Sequence, residues 1–221
     1  MLKYPRSTLR TPKVDKGDVK RLLFVVLILF ISVNAQTPFD GCAPEGKRKK
    51  TATNKTGKVP AKEAAMNRMK NRDGITGSID HSITIQDLIN SPEQTDLDEN
   101  TAVEITGFVA DVIAGTPNET CNCARSDIAD IHIDVVDKKK DRNNNDKYVI
   151  VEISPRFQDK LGDMTTVKKK ITGKWVKFTG WLTYDYKHRS NARNVKKTGN
   201  IWRATAWEVH PVTAFKVVPA P

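Results

Sequence analysis

Three sets of residues in this 221-residue sequence have the types and spacing to do chemistry. In Asp185-Tyr186-Lys187-His188 and again in Glu208-Val209-His210, a carboxylate lies a few residues from an imidazole. Imidazole titrates near neutrality and a carboxylate can orient it, so Asp185, His188, Glu208 and His210 suit the acid/base pair of a secreted, nuclease-like hydrolase. The competing reading is structural: His210, before Pro211, closes the last strand, and Glu208 pairs with a neighbouring base. Cys121-x-Cys123 with His132, His188 and His210 offers the thiolates and imidazoles that hold zinc, although the spacing is shorter than the usual C-x₂₋₄-C. In an oxidising compartment a disulfide is the stronger expectation for Cys121 and Cys123, either within the pair or to Cys42, and three cysteines leave one over.

The third set is cationic and aromatic. Residues 187–200 carry Lys187, Arg189, Arg193, Lys196 and Lys197 and no acid. Trp175, Trp181 and Trp202 fall on or beside one face, with Lys177 among them and Arg125 in an earlier loop. Cationic loops track phosphates while aromatic faces stack on bases, as in single-strand nucleic-acid binders. The ligand-binding candidates are therefore Trp175, Lys177, Trp181, Arg125, His188, Arg189, Arg193, Lys196, Lys197 and Trp202. The same face suits sugars, and the competing reading is a solvated loop beside ordinary barrel tryptophans. No Gly-rich phosphate loop, His-Glu-x-x-His or Gly-x-Ser-x-Gly is present, and neither a metal nor a cofactor is expected.

The elements that must position these groups follow from period and turn chemistry. Lys147–Ser154 (KYVIVEIS) reads as a strand, and Pro155 opens a helix, because the first turn does not need its missing amide hydrogen. In residues 175–186, Val176, Phe178, Leu182, Tyr184 and Tyr186 share one side. Trp175, Lys177, Thr179, Trp181, Thr183 and Asp185 share the other, which mixes aromatic with polar groups and reads as a binding surface. Residues 102–115 form a long strand in which Gly107 and a phase slip at Val112 predict a bulge or sharp coil. Residues 130–137 alternate as a half-buried strand, residues 137–147 form a polar loop, and residues 203–218 form the last strand.

Five strands with one helix between the third and fourth is the order of a Greek-key barrel, and from Thr101 to Val218 the chain resembles the OB-fold superfamily. Residues 118–123 (NETCNC) and 205–212 (TAWEVHPV) also resemble segments of uncharacterised exported bacterial proteins. The resemblance implies a mainly β, five-stranded barrel with binding loops between strands one and two and between strands four and five.

Outside residues 101–218 the chain divides into three further parts. Residues 62–100 form a short α/β extension, with a helix over Lys62–Lys70 and a strand running into a short helix over residues 82–89. Residues 36–61, rich in Gly, Pro, Thr and Lys, read as a flexible basic linker. Residues 1–35 read as a signal peptide: Lys20-Arg21, an apolar run from Leu22 to Val33, and Val33-Asn34-Ala35 before a cut at Gln36. An uncleaved anchor is the alternative. The net charge is +11, of which this leader holds seven Lys/Arg against two Asp. Such a balance makes nucleic acid or another polyanion a plausible partner. The expectation is a secreted or periplasmic, non-catalytic binding module for an anionic ligand, foremost single-stranded nucleic acid. The alternatives are the hydrolase above and an envelope structural or carbohydrate-binding module.

Overall fold

The computed structural model describes residues 36–221, which pack as one unit. The expected signal peptide at 1–35 lies outside the described residues. The chain runs α1 (Ala61–Lys70), β1 (Ile79–Asp80), α2 (Ile85–Asn90), β2 (Ala102–Ala114), β3 (Ile131–Val136), β4 (Val149–Ile153), α3 (Pro155–Leu161), α4 (Met164–Ile171), β5 (Trp175–Tyr184) and β6 (Trp207–Val218). No helix among the described residues is long and apolar enough to cross a membrane.

The strands follow the order β1-β2-β3-β4-β6-β5, and β2 also pairs with β5, so β2 to β6 close a mixed five-stranded barrel with β1 added at its edge. Closure depends on β2. Its residues 102–108 run antiparallel to β5, while 108–114 run antiparallel to β3, with a register shift between Val109 and Asp111. That shift accounts for the phase slip in the sequence: both Val109 and Val112 reach the core. Gly107 lies at the coil of the strand. A Cβ there would come within 2.3 Å of Val135 Cγ1 and 2.4 Å of Ile85 Cδ1, so no larger residue fits. β4 runs parallel to β6 and antiparallel to β3.

Alternation fills the barrel. Ile131, Ile133 and Val135 of β3, Val149, Val151 and Ile153 of β4, Val176, Phe178 and Leu182 of β5, and Val209 and Val212 of β6 meet inside. Ile85 and Leu88 of α2 and Val167 and Ile171 of α4 pack against this core. Thr84 caps α2: its hydroxyl accepts from Asp87 N, and Asp87 Oδ2 accepts from Thr84 N at 2.8 Å, the reciprocal pair that satisfies two otherwise free amides.

Three expectations are corrected in detail. Two helices, not one, join β4 to β5. Gly162, with φ of +110°, ends α3, and Asp163 then caps α4 by accepting from Thr166 N at 2.7 Å. β6 begins at Trp207 and continues through Pro211 to Val218, so His210 lies inside the strand rather than at its end. Residues 36–60 carry no helix or strand, as their composition suggests, yet they are fastened to the rest of the fold. Cys42 is disulfide-bonded to Cys123, Lys47 N donates to Thr120 O at 2.9 Å, and Arg48 Nε donates to Glu63 at 3.0 Å.

A charged layer behind a cavity as the candidate functional site

Alternation that sends valine and isoleucine inward from β3, β4 and β6 sends His132, Asp134, Glu152, Glu208 and His210 outward. That outer face is not left to solvent. α1 lies across part of it and buries Glu63, Asn67 and Lys70, with Asn71 and Arg72 following. A layer of charge is thereby removed from water, and each member needs a partner, because an unpaired buried charge is strongly destabilising.

The partners form a chain. His132 Nδ1 is 3.0 Å from Glu152 Oε1, and Glu152 Oε2 is 2.7 Å from His210 Nδ1, an alternation of charge across three adjacent strands. His132 Nε2 reaches Asp134 at 3.1 Å. His210 Nε2 is 2.9 Å from Ser154 Oγ, and Ser154 donates its own hydrogen to the Lys70 carbonyl at 3.0 Å, so His210 must donate to Ser154. Both ring nitrogens of His210 are then donors, and so are both of His132, which face carboxylates. The two rings are imidazolium ions. Burial would lower their pKa, but Glu152 and Asp130 around His210, and Asp134 and Glu152 around His132, overcome it and raise both to about 10.

Lys70 closes the layer from the α1 side. Its ammonium is 2.8 Å from Asp185 Oδ2 and 3.0 Å from Glu208 Oε1. Burial opposes the charge on Lys70, and Asp185, Glu208 and Glu152 more than offset it, holding its pKa well above the ordinary value. Burial likewise pushes the Asp185 carboxyl up, and Lys70 with His188 holds it well below the usual range. Arg203, itself buried, donates to Glu208 Oε2 at 3.1 Å and to Thr205 O at 2.6 Å.

A cavity of about 340 Å³ opens on this layer. Its walls include Glu119 from the β2–β3 loop, His132 and Glu152 from the strands, and Asp185, His188, Trp202 and Arg203 from the β5–β6 connection. His188 Nδ1 is 3.0 Å from Asp185 Oδ2, and its Nε2 has no hydrogen-bond partner among the described residues. Trp202 stands edge-to-face with His188 at 5.2 Å and carries the Arg203 guanidinium 5.4 Å from its ring centre. The arrangement places one free imidazole nitrogen and one indole on the cavity wall, in front of ions that are already paired.

Of the ligand-binding candidates read from sequence, the cavity gathers His188 and Trp202 and leaves the others elsewhere. Trp181 donates to Asp73 O at 3.1 Å and lies under the Arg72 guanidinium at 4.8 Å. Trp175 packs edge-on against Phe108, and Lys177 is 2.9 Å from Glu104. Neither tryptophan lines the cavity. Most of the candidate cations are already neutralised: Arg189 by Glu93 at 2.6 Å, Arg193 by Asp146 at 2.8 Å, and Arg125 by Asp40 and Asp127. Lys196 and Lys197 are exposed and have no carboxylate partner among the described residues. The outer side of β5 also departs from expectation at its end, where Thr183 and Asp185 are fully buried beneath Arg72 and Lys70.

The cysteine expectation resolves against the adjacent pair. Cys123 bonds Cys42, and Cys121 remains a buried thiol. Of the four hydrolase candidates, Asp185, His188 and Glu208 line the cavity, while His210 is held behind it with both nitrogens engaged. Sequence reading passed over Lys70, Glu119, Asp130, Asp134, Glu152 and Arg203. Glu152 did carry a signal, as the single charge inside the apolar run VIVEI of a strand buried on both faces. Comparison with family models, with curated proteins and with solved structures finds no match to this chain.

Proposed function

We propose that the barrel is an OB-fold and that the chain is an exported, non-catalytic binding module whose ligand enters the cavity lined by His188 and Trp202. Support for the fold comes from the strand order and from β2 pairing in both halves. Support for export comes from the Cys42–Cys123 bond, which belongs to oxidising compartments. The observation that carries the function is position. The cavity lies on the outer face of β3 and β4, between the β2–β3 loop and the β5–β6 connection, where OB-folds take their ligands. The ligand class that fits is anionic, foremost a nucleic-acid strand: one base stacks at Trp202, and Lys196 and Lys197 meet the phosphates.

The test is a titration with single-stranded DNA at several salt concentrations. Binding should weaken with salt as counterions are released. Trp202→Ala should cost about 1–3 kcal/mol, the worth of one stacked base, and Trp181→Ala should cost nothing. Changing Lys196 and Lys197 to Ala should flatten the salt dependence. No binding to DNA or RNA at low salt contradicts the reading.

One observation favours a second reading. The buried Asp185 orients His188 and leaves Nε2 free at the cavity wall, the geometry of a general base acting on water or a hydroxyl. Under that reading the strand is cleaved, and His188→Ala abolishes cleavage while Trp202→Ala weakens binding alone.

A further inference from the structure

The carboxylates of the cavity wall and of the layer behind it do not share cations evenly. Asp185 has Lys70 at 2.8 Å, Glu208 has Lys70 at 3.0 Å and Arg203 at 3.1 Å, and Glu152 has His210 at 2.7 Å and His132 at 3.0 Å. Glu119 has no ion-pair partner among the described residues, and the nearest to Asp130 is His210 Nε2 at 3.9 Å, which already donates to Ser154. Next to both stands Cys121, 5% exposed, the thiol left over when Cys42 and Cys123 join. Its Sγ is 3.9 Å from Glu119 Oε2 and 3.8 Å from Asp130 Oδ2, and one donor atom from each of the three residues lies within 4.8 Å of the others. At those distances the thiol makes no strong hydrogen bond to either oxygen, yet it is buried and directed at both.

We propose that Cys121, Glu119 and Asp130 are a binding site for a divalent transition-metal ion of the zinc class, distinct from the ligand role of the cavity. The distances fit such an ion. With zinc–sulfur near 2.3 Å and zinc–oxygen near 2.1 Å, tetrahedral angles set the sulfur–oxygen edge at about 3.6 Å, a few tenths of an ångström from what is found. A thiolate donor selects zinc-like ions over magnesium or calcium, which prefer oxygen alone. The thiol proton, and the proton that burial beside Asp130 keeps on the Glu119 carboxyl, leave to solvent as the metal bonds form. The ion's two positive charges supply the cation these carboxylates lack. Glu119 also lines both the 340 Å³ cavity and a second of about 200 Å³ that Cys121 shares, so an ion has an entry path and a fourth position open to water.

The experiment uses the full, disulfide-bonded chain treated with chelator, then titrated with Co²⁺ or Zn²⁺ alone. One equivalent of Co²⁺ should bind with a thiolate-to-cobalt charge-transfer absorption. Cys121→Ser should lose that absorption, and its Zn²⁺ affinity should fall about tenfold or more, with Asp130→Asn also weakened. In the unaltered chain, which needs no substitution to fold, one equivalent of Zn²⁺ should slow alkylation of Cys121 about tenfold or more. Absence of stoichiometric Co²⁺ uptake, identical cobalt spectra for the unaltered and Cys121→Ser chains, or alkylation indifferent to Zn²⁺ would overturn the site. DNA titration of the same samples reads the cavity's ligand role separately.

Discussion

His210 and His188 each sit beside a buried carboxylate, and the two are built for opposite ends. His210 lies inside the layer, with Glu152 on one nitrogen and Ser154 on the other, and has nothing left to offer a ligand. His188 lies at the rim, with Asp185 on one nitrogen and cavity on the other. The layer behind the cavity spends its charges on one another and so fixes α1 on the barrel. The rim keeps unsatisfied groups. Paired charges and an unpaired imidazole nitrogen are thus set apart, and under the proposed function substitutions should separate stability from binding.

The largest effect is expected inside the layer. Glu152→Ala leaves the imidazolium ions His132 and His210 without their shared carboxylate and should cost about 3–5 kcal/mol in urea unfolding. A loss below about 1 kcal/mol would mean that the layer is not closed to water. Replacing Cys42 and Cys123 by Ser releases a link spanning 81 residues and should cost about 2–5 kcal/mol, seen as a lower melting temperature that reductant no longer changes.

Acidity probes the same layer from both sides. Asp185 is held below its ordinary 3.8 in the fold, so its contribution is complete above that value and is lost as pH falls below it. His132 is raised from 6.5 to about 10, so its contribution is complete below 6.5 and disappears as pH climbs toward 10. Urea midpoints measured across pH should therefore fall at both ends. Lys70→Met should flatten the acid limb, because burial raises the Asp185 pKa and Lys70 is the strongest of the groups that bring it down. The smallest effect lies at α2, which does not line the cavity: Thr84→Ala removes its cap and should cost about 1 kcal/mol, without touching ligand binding.

The barrel was legible because its signals are local. Strands of period two, Gly107 with the slip at Val112, and Pro155 at a helix start all state backbone geometry within a few residues, and the structure follows them. The charged layer was not legible, because its geometry arises from strands brought together across long stretches of sequence. Asp134 and His132 read as the solvent side of a half-buried strand until Glu152 and Trp202, from distant segments, stand against His132. α1 itself buries Glu63, Asn67 and Lys70 alongside Ala64 and Met66, so its pattern could not reveal which face packs. Residues 36–61 looked free because loop composition does not show where a cysteine finds its partner. The basic loop gave the clearest compositional signal, but its charge was read without Glu93 and Asp146, which arrive from distant segments.

The central claim is that ligand meets the rim at Trp202 rather than the side of β5. The four tryptophan indole N–H signals report on it directly in a ¹⁵N-labelled chain titrated with single-stranded DNA. Trp207, which is buried and donates to Glu93 O at 3.2 Å, and Trp181, which donates to Asp73 O, should stay in place while Trp202 shifts and saturates. If Trp181 or Trp175 moves and Trp202 does not, the ligand site lies on the outer side of β5 and the assignment to the cavity is wrong.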